Sequence, residues 1–195
     1  MKNVVADSTF YILFYGDIKD DRSLYHILDK YEMFVGEKLE DELEKHIKGD
    51  RTFEELTNNI DEEVDFGHLL QTFYDFLLSE YPELNQRIKD AEYEAIGMSY
   101  LLKQYDNLNY LIIDDKYPYN FVDQNLPFIQ SELNRTIGFL YSSCKEEGIL
   151  EERFVLNILD EIEKAIERGE NPLYLTRNIW NEKIKPLKTK LDGDD

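Results

Sequence analysis

Two short apolar runs in this sequence end in acids. The first, Val4-Val5-Ala6, runs into Asp7, with the hydroxyls of Ser8 and Thr9 directly after it; the second, inside NYLIIDDK (109–116), ends in Asp114 and Asp115. Apolar runs of this length, without helical spacing, read as short buried strands, so each acid is delivered to a strand's carboxyl end. In open parallel α/β sheets, ligands gather beyond that edge. Two carboxylates brought together there repel, and one takes up a proton unless a partner intervenes. Neither motif carries an arginine of its own. A hard divalent cation, Mg²⁺ or Mn²⁺, removes the conflict, because such ions prefer oxygen and accept one or two carboxylates with waters and phosphate. Acids at strand ends also serve as helix caps and turn formers, and spacing alone does not separate the two uses.

The surrounding elements must position these acids. From Ser8 the spacing of Phe10, Leu13 and Phe14 predicts a helix, and Leu24, Ile27 and Leu28 predict another over about 22–30. EMFVG (32–36) is the next candidate strand, followed by the amphipathic EKLEDELEKHI (37–47) with Leu39, Leu43 and Ile47 on one stripe. Thr52-Phe53-Glu54-Glu55 fits a capping box. A strongly apolar helix is expected over 66–81, ending before Pro82, and another over 91–105 with Asp90 as its cap. Pro118 prevents the second acid-terminated strand from continuing centrally. Helices over 136–148 and 152–169 are expected to stop at Gly148 and Gly169. Short strands separated by helices predict an α/β fold with a parallel sheet covered on both faces.

With 195 residues, 42 % of them apolar, the chain is long enough for one sizeable core, or a core with a helical appendix. A net charge of −20 argues against a protein that coats nucleic acid through a broad basic surface. The acids crowded between Glu37 and Asp65 read as a solvated face, as a docking surface for a basic partner, or in part as cation ligands. No apolar run approaches a membrane span, and the lone Cys144 forms neither an internal disulfide nor a thiolate zinc cluster, so a cytoplasmic protein is expected. Asn134-Arg135-Thr136 matches the glycosylation pattern by chance on this reading. His26, His46 and His68 form no paired motif, and Cys144 reads as a small core residue. Tyr105, Tyr110, Tyr117 and Tyr119 bracket the second acidic turn as packing residues or as stacking platforms for a base. Lys116 either contacts phosphate or compensates its neighbouring aspartates. The amphipathic stretch 152–168 either packs on its own domain or forms a surface for a homodimer or partner helix.

Taken in order, VVADSTFY, VGEKLEDELEK, AEYEAIGMSYLLK and LNYLIIDDK resemble the acidic motif series of the PIN domain family. The nearest likeness is to its VapC-like branch, whose later motifs read GEAEAI and LLIDD. The resemblance runs from residue 3 to about 150, where TIGFLYSSCKEEGIL also looks like that branch. It implies a three-layer α/β/α fold with a short parallel sheet over 1–150, with residues 151–195 as a C-terminal helical extension. It also implies a metal-dependent endoribonuclease, in some members the toxin of a toxin–antitoxin pair. The catalytic acids implied are Asp7, Glu42, Glu92 and Asp115, with Asp114 as a further metal ligand. Ser8, Thr9 and Lys116 would stand on the substrate side. Glu94 is the second choice for Glu92; the two lie about 200° apart around a helix, so only one faces a metal. This sequence departs from the branch at Ala91, where a glycine is usual, and at Lys116-Tyr117-Pro118, where arginines usually follow.

Two functions of different classes therefore stand as expectations. One is a Mg²⁺- or Mn²⁺-dependent ribonuclease acting on RNA, whose acidic surface suits a basic antitoxin. The other is a catalytically inactive PIN-like binding or regulatory module whose acidic surface receives a basic protein partner.

Overall fold

A computed structural model describes residues 1–46 and 66–193. The expected capping box at Thr52–Glu55, the acids between 47 and 65, and the side chain of His46 lie outside the described residues. Strand β1 (Lys2–Ala6) leads into helix α1 (Ser8–Ile12), prolonged by a π turn over Leu13–Asp17. Helix α2 (Asp21–Leu28), strand β2 (Tyr31–Phe34) and helix α3 (Glu37–His46) follow. Helices α4 (Phe66–Glu80) and α5 (Ala91–Gln104) precede β3 (Tyr110–Ile112). Helix α6 (Lys116–Asn125), the two-residue strand β4 (Leu133–Asn134), α7 (Thr136–Lys145) and α8 (Glu152–Glu167) complete the main body. A C-terminal segment adds a 3-10 turn (Pro172–Tyr174), α9 (Arg177–Ile179), a π turn (Trp180–Ile184) and α10 (Lys185–Leu191).

The four strands are all parallel, in the order β2-β1-β3-β4. Val4 pairs with Met33 on one side and Tyr110 on the other, so β1 is central, with a strand to pair with along each edge. Alternation along the strands splits the core. Val4, Ala6, Met33 and Ile112 point into a layer built with α1, α2, α7 and α8. Val5, Phe34, Leu111 and Ile113 point into the opposite layer, with α4, α5 and α6. The result is an α/β fold with helices on both faces of the sheet, as the alternation of short apolar runs and helical patterns predicts.

The apolar stripe of α8 is covered by its own chain. Val155, Ile158, Leu159, Ile162 and Ile166 are buried in the same cluster as β1, together with Trp180 and Leu191 from the C-terminal segment. Their three- and four-residue spacing places them on one face, and burying each side chain of this size is worth about 1.5–3 kcal/mol. The stripe is thus buried within the molecule. No helix among the described residues is long and apolar enough to cross a membrane.

Three local readings need correction. Pro118 does not simply end a strand: it sits in the first turn of α6, where the missing N–H has no intrahelical partner to lose. Strand β4 is too short to carry a periodic signal, yet it pairs with Leu111 and Ile112. Asp90 occupies the N-cap position of α5, but its side chain makes no capping hydrogen bond. Gly148 and Gly169 do stop their helices, both with positive φ (64° and 89°).

Candidate functional site

The chain leaves β1 for β2 on one side and later returns to β3 on the other. The carboxyl ends of β1 and β3 therefore flank the point where the strand order reverses, which is where open α/β sheets bind ligands. Asp7 follows β1 there, with its backbone N–H bonded to the Ile112 carbonyl of β3. It is completely buried. One carboxylate oxygen accepts from the Phe10 N–H (3.2 Å) and caps α1; the other accepts from the Asp114 N–H (2.9 Å). Burial first, and then the nearby charges of Asp114 and Glu92, push its pKa up to about 8, against the pull of those two N–H donors. Among the described residues, Asp7 has no ion pair.

The opposite end of the sheet makes the contrast plain. There Glu147 collects Lys2, the Tyr110 phenol (2.6 Å) and the Tyr31 phenol (3.3 Å), and these partners outweigh burial and hold its pKa below the usual carboxylate range. The molecule pairs an acid at one edge with a lysine. At the other it leaves acids facing acids.

The remaining predicted acids arrive from separate elements. Glu92, in the first turn of α5, is half-buried; burial and then the charges of Glu42, Asp90 and Asp115 raise its pKa. Glu42, from α3, accepts from the Ser8 hydroxyl at 3.1 Å. Asp115 caps α6 by accepting from the Tyr117 N–H at 2.8 Å. Glu92 thus lies within electrostatic reach of Asp7, Glu42 and Asp115, although 23 to 85 positions separate it from them in sequence. Among the described residues, no three His, Cys, Asp or Glu side chains are gathered tightly enough to hold one ion by themselves. By type the donor set fits Mg²⁺ or Mn²⁺, all oxygen and all anionic. By number it fits an ion that keeps most of its waters.

Each acidic doublet divides its labour. Glu94 is buried and turned away from the cluster, where one oxygen accepts from the Lys38 N–H (2.8 Å) and the Leu39 N–H (3.2 Å). It anchors the start of α3, so the second choice for Glu92 is a structural acid. Asp114 is likewise buried; its carboxylate accepts from the Thr136 N–H (3.2 Å) and the Thr136 hydroxyl, and so starts α7. Burial raises its pKa, and the Thr136 bonds and the Arg135 charge pull it back. In this fold its carboxylate anchors the start of α7. The same bonds explain the Asn134-Arg135-Thr136 pattern, since Thr136 is fully buried. Thr136→Val keeps the shape and removes the hydroxyl donor to a buried carboxylate, and is expected to cost about 1–3 kcal/mol in urea denaturation.

Ser8, buried and bonded to Glu42, orients that acid rather than standing open to a substrate. Thr9 lies beside the phenol of Tyr174. Lys116 is exposed on the wall of an adjoining groove of about 610 Å³, which also holds Asp114, Asp115, Arg135, Tyr174 and Lys183. Neither the family likeness nor periodicity pointed to Arg135, Tyr174 or Lys183. Arg135 donates to the Asp114 carbonyl and lies over the Tyr119 ring at 4.2 Å; Arg87 lies over Tyr117 at 3.9 Å. Tyr110 is a core residue, and Tyr105, at the far end of α5, is exposed. His26 packs on Phe154 and Cys144 is a buried free thiol.

No protein-family model, curated protein or solved structure matches this chain. The site's chemistry therefore rests on the residues themselves.

Proposed function

We propose that this chain is a divalent-metal-dependent endoribonuclease of PIN type, with Asp7, Glu42, Glu92 and Asp115 as its working acids. The observation that carries the reading is that Glu92 faces the charges of Asp7, Glu42 and Asp115, from three other segments, at the sheet's switch point, with no ion pair to Asp7 among the described residues and with Lys116, Arg135 and Lys183 around the next groove. Asp7 and Asp115 hold the ion in this reading, Glu92 and Glu42 accept hydrogen bonds from its waters, and Ser8 keeps Glu42 in place. Bound Mg²⁺ or Mn²⁺ supplies polarisation of a phosphodiester oxygen, a lower pKa for water, and neutralisation of the leaving oxygen's charge. No side-chain nucleophile is required. The acidic exterior would receive a basic antitoxin segment in the toxin–antitoxin version of this role.

The test incubates the purified chain with labelled single-stranded RNA, structured RNA and DNA, with Mn²⁺, with Mg²⁺ or with chelator. RNA is expected to be cut only with metal, and not by Asp7→Asn or Asp115→Asn. Equal cleavage by the wild type and both variants would remove the assignment. Mn²⁺ should also raise the melting temperature, because only the native state assembles the site; at roughly a hundred-fold excess over Kd the gain is about 2.7 kcal/mol.

A second reading is favoured by one observation: the oxygens of Asp7 and Asp114 are already engaged by N–H and hydroxyl donors of the chain itself. In that reading the fold is an inactive PIN-like module that binds a basic protein partner. Metal then neither shifts the melt nor supports cleavage, while a basic peptide still binds in a salt-sensitive way.

A further inference from the structure

The segment after α8 does more than close the core. Pro172 and Leu173 are buried, whereas Tyr174, next in the chain, leaves 63 % of its surface exposed. Leu173 and Tyr174 both adopt left-handed backbone, with φ of 53° and 56°. Consecutive non-glycine residues in that region are costly, and persist where the surroundings over-determine them. Here the anchored Leu173 holds the following ring at the rim of the acidic cluster. The Tyr174 phenol lies beside Thr9 and feels the charges of Asp115, Asp7 and Glu92.

The same ring forms part of the groove of about 610 Å³. One wall comes from Asp115, Lys116 and Arg135 of the α/β body. The other comes from the C-terminal segment, with Leu175, Ile179 and Ile184 supplying apolar surface and Lys183 a cation. Neither Lys116 nor Lys183 has an ion pair among the described residues. In a chain of net charge −20, cations along a groove that begins at the acids mark where a polyanion can approach. An exposed aromatic ring and apolar surface beside cations match a single strand, whose bases offer faces and whose phosphates offer charge.

We infer that this groove is the path of single-stranded RNA beside the scissile phosphate, with Tyr174 stacking an unpaired base and Lys116 and Lys183 holding its phosphates. The inference rests on the ribonuclease reading and adds a substrate class to it. A paired base keeps both faces covered within its helix, so duplex RNA cannot use Tyr174. The C-terminal segment is then one wall of the substrate site.

The experiment measures anisotropy of a fluorescein-labelled, unstructured 12-nucleotide RNA in Ca²⁺, and its cleavage in Mn²⁺. Tyr174→Ala is expected to weaken binding roughly ten-fold, as loss of one base-stacking contact does, and to raise KM more than it lowers kcat. Tyr174→Phe keeps the ring and should bind near wild type. Lys183→Glu should weaken binding and flatten its salt dependence. A labelled duplex of equal length should bind more weakly than the single strand and be indifferent to Tyr174→Ala. If the wild type cleaves but Tyr174→Ala and Lys183→Glu match it, this inference fails and the ribonuclease reading stands. Faster cleavage by Tyr174→Ala would make the ring an obstruction and also overturn it. Loss in Tyr174→Phe equal to that in Tyr174→Ala would assign the effect to the phenol oxygen, against stacking. A wild type that neither binds nor cuts any RNA ends both.

Discussion

At pH 8, Asp7→Asn should melt above the wild type, and by about pH 4.5 that advantage should vanish or reverse. The sign follows from the direction of the shift. Asp7 has an ordinary pKa of 3.8 and is pushed to about 8 in the fold, so the native state binds its proton more tightly than the unfolded chain does. Its contribution to stability is complete below about pH 4 and is lost as pH climbs through 8. Glu92, Glu94 and Asp114 are raised as well and slope the same way. Glu147 and Glu163 are lowered and act oppositely, losing their contribution as pH falls below the usual carboxylate range. Asparagine has no proton to lose, so the variant should be flatter between pH 4 and 8. Each pKa unit corresponds to about 1.4 kcal/mol, and the gain at pH 8 is on the order of 2–4 kcal/mol.

Asparagine also has one oxygen for two N–H donors, at Phe10 and Asp114. Leaving one of these unpaired costs about 1–3 kcal/mol at every pH, which produces the crossing at the acid end. Differential scanning fluorimetry across pH 4–8 reads the effect directly. In the same variant, metal-dependent cleavage of RNA should fall by more than the ~10–100-fold that outer-shell changes cost at metal sites. Parallel pH profiles for the two proteins would mean that Asp7 is not held protonated in the native state.

The second large effect is expected far from any ligand. Gly36 stands just before α3, and a Cβ there would meet the Glu94 Cγ at 2.8 Å and its carboxylate closer still. Glu94 has no easy alternative seat: it is buried, and its oxygen holds the first N–H groups of α3 at Lys38 and Leu39. Gly36→Ala must therefore displace a buried carboxylate from two charge-assisted hydrogen bonds, for a loss of about 2–4 kcal/mol. Because α3 carries Glu42, cleavage should fall with stability. Glu94→Ala, which vacates the space, should make Gly36→Ala nearly neutral in a double-mutant cycle. Additive losses in that cycle would place the strain elsewhere.

The legible and illegible parts of this molecule divide along a physical line. Asp7 and Asp115 could be read at the ends of apolar runs because a strand's end and a helix's N-cap are set by neighbouring residues. The stops at Gly148 and Gly169, and the buried stripe of α8, follow from the same short-range rules. The geometry of a helix turn said that Glu92 and Glu94 cannot share a task, but not which of them Gly36 would receive. Nor could β4, two residues long, announce itself by periodicity.

The sequence alone determined strands β1 to β3, the helices outside α6 and the C-terminal segment, and where their acids stand, because those choices rest on residues a few positions apart. Only the tertiary structure decided that Glu94 and Asp114 anchor helices while Glu92 and Asp115 join the cluster, and that Arg135, Tyr174 and Lys183 stand beside it. Those roles depend on charge and contact across the fold. Such neighbours exist only once the strand order β2-β1-β3-β4 has folded distant segments together.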